Sequence, residues 1–126
     1  MTESSIEIIK RFQESWVEVG KRYDDLINNF GWDKLIPIRD YIKKLKFEGE
    51  DKYFRLGTSM DTLMLSRSVN HGLRTDQKYI KIESFDNSFD VKLKDGDKTY
   101  REYSISDLND LRLKKLLKTL KDTLVD

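Results

Sequence analysis

Along the first quarter of the chain, apolar residues return at steps of three and four: Ile9, Phe12, Trp16, Val19, Tyr23, Leu26, Ile27 and Phe30. Side chains so spaced share one stripe of a helix, and the pattern predicts an amphipathic helix over residues 5–30, about 40 Å long at 1.5 Å per residue. Ser4, with Glu7 three residues on, has the form of a capping box, and Gly31 suits the left-handed position that ends a helix. Gly20, inside the pattern, costs about 1 kcal/mol relative to Ala and signals close packing or a bend. A second helix is predicted over 36–47. Pro37 falls in its first turn, Ile38, Tyr41, Ile42 and Leu45 form its buried stripe, and Gly49 closes it.

Beyond Gly49 the period changes to two. Residues 53–56 and 62–68 read as short strands around a turn at Gly57-Thr58-Ser59, and residues 79–85 read as a third. Phe89, Val91 and Leu93 alternate with Asp90, Lys92 and Lys94. Asp95-Gly96-Asp97 then turns the chain into a strand over 99–105, which makes a hairpin. A two-residue loop would oppose Val91 to Tyr100. A three-residue loop with a glycine bulge opposes Leu93 to Thr99, Val91 to Arg101 and Phe89 to Tyr103, and is preferred because it keeps Tyr103 and Ile105 on the apolar face. Ser106-Asp107 suits a helix start. Leu113, Leu116, Leu117, Leu120 and Leu124 then form a stripe, with Lys114, Lys115, Lys118 and Lys121 on the other side. The expected architecture is one α+β domain over 1–126: two N-terminal helices, an antiparallel sheet of about five strands and a C-terminal helix, with the helices packed on one face of the sheet.

Charge changes this picture only locally. Twenty-four basic and 23 acidic residues leave a formal charge of +1, so no global field points to nucleic acid or to an anionic membrane. Residues 51–82 carry six basic and three acidic groups, residues 83–110 four and eight, and residues 111–126 five and two. The absence of cysteine excludes disulfides, thiolate nucleophiles and thiolate metal sites, and fits a reducing compartment. No stretch reads as a signal peptide or a membrane span, so the expected location is the cytoplasm. Phosphate-binding glycine loops and the hydrolase nucleophile elbow are absent. A single histidine, with Asp86, Asp90, Asp95 and Asp97 at turns and outward strand positions, gives no metal pattern, and no metal or cofactor is expected.

One polar segment stands apart. Arg67, Asn70, His71, Arg74 and Lys78 surround Gly72, and arginine forks beside backbone N–H groups freed by a glycine suit phosphate or carboxylate. The same composition also serves an ordinary connection between strands. Imidazole as a side-chain type can serve as general acid or base, and His71 and Glu83 with Arg67 or Arg74 would form the weak candidate set of a metal-free ribonuclease. Tyr79, Lys81, Glu83, Lys92, Lys94 and Tyr100 are expected on the sheet face away from the helices, where mixed charge favours a protein partner over RNA. The expected function is therefore a non-enzymatic interaction module, with an immunity- or antitoxin-type inhibitor as its specific version. It would bind a protein through that face and the Arg67–Arg74 loop. The alternative is a phosphate- or RNA-binding protein. The first helix is longer than a five-strand sheet of ordinary strands can cover, so self-association through its overhanging turns is a secondary expectation.

Overall fold

The computed structural model describes residues 2–59, 62–68, 78–85 and 87–123, with side chains from Ser5 onward. Asn70, His71, Arg74 and Leu124 lie outside the described residues. Helix α1 spans Thr2–Phe30, α2 spans Ile36–Phe47 and α3 spans Leu111–Lys121. The strands are β1 (Arg55–Ser59), β2 (Thr62–Ser66), β3 (Lys78–Ser84), β4 (Phe89–Asp95) and β5 (Lys98–Ile105). All five form one antiparallel sheet in sequence order, so β1 and β5 are its edges.

Register assigns the faces. Leu56 pairs with Leu65, Leu65 with Ile80 and Ile80 with Leu93, while Leu63, Ile82, Val91 and Tyr103 form the neighbouring row. Paired residues share a face, and these rows join Trp16, Tyr23, Ile38, Ile42, Leu113 and Leu120 in one hydrophobic cluster. The helices therefore cover one face of an α+β sheet, as the hydrophobic pattern predicts.

Helix α1 also closes the β1 edge. Ser15 is buried, and its Oγ accepts a hydrogen bond from the Leu56 N–H at 2.9 Å while donating to the Phe12 carbonyl at 2.6 Å. One residue on, the Trp16 indole N–H donates to the Phe54 carbonyl at 2.7 Å. Two backbone groups at the start of this edge strand are thus satisfied by side chains of a helix. The stripe from Phe12 to Ile27 is buried against β1, the turn at Glu50–Lys52 and α2. Residues 5–11 precede that stretch and are exposed or half-buried, and Ile6, Val17 and Phe30 are exposed apolar residues of the helix.

Several local expectations change. Helix α1 begins at Thr2, so Ser4 lies inside it and not at a capping box. Gly31 does take the left-handed conformation, at φ +69°, with its N–H donating to the Ile27 carbonyl. Gly20 marks no close packing, since a Cβ there meets nothing within 4 Å. Gly57-Thr58-Ser59 is strand and not turn, opposite Met64, Leu63 and Thr62, in a register that pairs Leu56 with Leu65 and keeps Leu63 on the same core face. Helix α3 starts at Leu111, four residues later than Asp107. Asp107 instead makes an Asx turn, its Oδ1 accepting from the Asn109 N–H at 2.8 Å, and buried Leu108 pins that turn to the core.

The hairpin register is also different. Asp95 pairs with Lys98 across a two-residue Gly96-Asp97 loop, and the ladder slips at Leu93/Lys94, leaving Tyr100 as the extra residue of a bulge. Leu93 faces Arg101, Val91 faces Tyr103 and Phe89 faces Ile105. The shift from expectation is two residues, which preserves side-chain parity, so Tyr103 and Ile105 still face the helices.

Candidate binding surface

On the sheet face away from the helices, Lys81 and Lys92 are cross-strand partners, an arrangement that repels by itself. Glu83 relieves it: its Oε1 lies 3.5 Å from Lys81 Nζ and 3.7 Å from Lys92 Nζ, and Glu102 approaches Lys92 at 3.8 Å. The ladder balances its own charge. Glu83 is thereby committed between two ammonium groups. It also sits four residues along β3 from Tyr79, the partner of Ser66, which places it roughly 13 Å along the sheet from the end where Arg67 follows. Arg67 and Glu83 do not form one constellation.

Arg67 is turned into the protein. Its guanidinium donates to the Tyr53 carbonyl at 2.7 Å, and burial lowers its pKa against the opposing pull of Asp122. Tyr79, expected as an exposed aromatic, is only 6% exposed on the central strand between Ser66 and Lys94. Burial, with Asp97 nearby, raises the pKa of its hydroxyl.

Lys78 and Tyr100, in contrast, come together. They line a hollow of about 530 Å³ between the helix-facing side of β3–β5 and α3. Arg101, Arg112 and Lys115 complete its cationic rim, and Leu93, Tyr103 and Leu116 supply apolar surface. Among the described residues, no carboxylate lines it. Lys78 and Lys115 have no ion-pair partner among the described residues, and Arg101 donates only to the Tyr100 carbonyl, at 2.9 Å.

The fourth cation is pre-positioned. Asp110 caps α3 by accepting the Arg112 N–H at 2.9 Å, and its carboxylate takes a two-pronged contact from the same guanidinium, at 3.1 and 2.9 Å. These side-chain and backbone hydrogen bonds hold the Asp110 carboxyl at a pKa of about 2. The guanidinium also stacks over the Tyr103 ring, 5.4 Å from its centroid. Lys121, expected on the open lysine side of α3, is instead tied down: its Nζ lies 2.8 Å from Glu50 Oε2 and 4.5 Å from the Tyr53 ring centroid.

Arg101 and Arg112 were not among the sequence candidates. Strand parity could have found the first, because a core-facing Ile105 requires Tyr103 and Arg101 to share its face. Nothing in the sequence places Arg112 beside β5. Among the described residues, no group of three or more His, Asp or Glu side chains is placed to hold a metal ion, and no helix is long and apolar enough to cross a membrane. No family model, curated protein or solved structure matches this chain.

Proposed function

We propose that this protein is a non-enzymatic interaction module that binds another protein along the open edge of its sheet. The observation that carries this reading is the asymmetry of the two edges. Ser15 accepts from the Leu56 N–H of β1 and Trp16 donates to the Phe54 carbonyl just before it, whereas β5 is exposed from Lys98 to Glu102 and, among the described residues, has no strand beyond it. Open strand edges are recognition surfaces for protein chains, and charged residues with a bulge, as at Lys98, Tyr100 and Arg101, restrain indiscriminate pairing. A small inhibitor of the immunity or antitoxin type is the specific version, in which locally sorted charge would speed encounter with its target.

The test is affinity capture from the native cell, followed by reconstitution with the purified partner. A Lys94→Glu, Glu102→Lys double variant conserves net charge while inverting a charge on each strand of the β4–β5 hairpin beside that edge. One protein retained by the wild type, reconstituted from purified components and lost by the variant is the expected result. Equal retention by both, or recovery of RNA in place of protein, would overturn the reading.

A further inference from the structure

We infer that the hollow between β5 and α3 is a docking site for an acidic protein segment carrying one apolar anchor residue. The inference deepens the protein-binding reading and rests on it.

Charge comes first. A chain of net charge +1 gathers Lys78, Arg101, Arg112 and Lys115 around one hollow that no carboxylate lines among the described residues. The cations stand on both walls, Lys78 and Arg101 from the sheet and Arg112 and Lys115 from α3, so an extended anionic chain lying between them meets positive charge on either side. Lys78, Arg101 and Lys115 make no ion pair to surrender among the described residues. Arg112 keeps its orientation through Asp110.

The floor decides between kinds of anion. Leu93 and Leu116 are buried at its base and Tyr103 packs on the core, which suits an aliphatic or aromatic side chain. A nucleic acid would need an aromatic face on which to stack a base. Tyr103 is half-buried against the core, and the Arg112 guanidinium lies over its ring, 5.4 Å from the centroid, where a base would stack. The Tyr100 ring carries Lys98 Nζ at 5.7 Å from its centroid. A segment with glutamate or aspartate flanking one leucine or phenylalanine matches both rim and floor.

The experiment uses the full chain, isotope-labelled for amide spectra. The probe is a peptide with one leucine between short runs of glutamate. Comparison probes are the same peptide with glutamine for glutamate and a short oligouridylate. The groove variant is Lys78→Glu with Lys115→Glu. A control with the same charge change, Lys43→Glu with Lys46→Glu, lies on the exposed side of α2, and the amide spectrum of each variant verifies its fold.

The acidic peptide is expected to shift amides of residues 101–103 and 112–116, with affinity falling about tenfold or more in the groove variant and less than about twofold in the control. The glutamine peptide and the oligouridylate are expected to leave those amides in place. Tighter binding of the oligouridylate at the same amides would assign the groove to phosphate and overturn the inference. Equal loss in both variants, or no shift at these amides, would also overturn it. A natural partner that the groove variant still captures, but the β4–β5 hairpin variant loses, removes the groove alone. Peptide binding without any natural protein partner removes the module reading alone.

Discussion

Two buried hydrogen bonds from α1 set the energetics at the scale of single residues. Trp16 is 2% exposed and donates to a carbonyl 38 residues away, so Trp16→Phe removes both volume and the partner of a buried acceptor. A loss of about 1–3 kcal/mol is expected from urea unfolding. Asp110 offers a test with a defined sign. Its folded pKa of about 2 lies below the ordinary carboxylate value, so its stabilising contribution is complete above pH 4 and fades as pH falls through 2. The stability gap between wild type and Asp110→Ala should therefore close on acidification. Added salt should narrow it, since the pair is solvent-exposed. A gap unchanged between pH 6 and pH 2 would exclude the ionised cap as its source.

Each secondary-structure element has one position that decides its behaviour. In α1 that position is Gly20, whose missing Cβ would touch nothing. Gly20→Ala should raise stability by about 0.5–1 kcal/mol through propensity and unfolded-state entropy. In β1 it is the Leu56 N–H. Ser15→Ala leaves that buried donor unpaired and should cost about 1–3 kcal/mol in urea unfolding, with early hydrogen exchange along β1. In the β4–β5 hairpin it is Gly96, at φ +60°, where Gly96→Ala should cost about 1–2 kcal/mol. The ladder on the outer sheet face behaves differently. Its charges are partly solvated, and Glu83→Gln should change stability by less than about 1 kcal/mol.

Over the whole molecule the two sheet edges differ in how they are covered, and a nearly neutral chain gathers Lys78, Arg101, Arg112 and Lys115 around a hollow. Because the net charge is small, attraction for polyanions should be short-ranged. Oligouridylate at physiological salt should leave the amide spectrum unchanged, whereas an acidic protein segment should bind with an affinity that declines as salt screens the rim.

Hydrophobic periodicity alone determined the order of elements, the buried stripes of α2 and α3 and most of that of α1, and which strand residues face the core. Each depends on side-chain direction along a single segment, and that direction follows from the local repeat. The exact hairpin register, the start of α3 and the bulge at Tyr100 were decided only by tertiary packing, where a two-residue slip preserves every face and leaves no trace in the pattern. The site divides in the same way. Lys78 and Tyr100 were legible as exposed chemistry near strand ends. That they share a hollow with Arg101, Arg112 and Lys115 follows from α3 crossing the sheet beside β5. That juxtaposition joins residues up to 37 positions apart in sequence, and no local pattern records it.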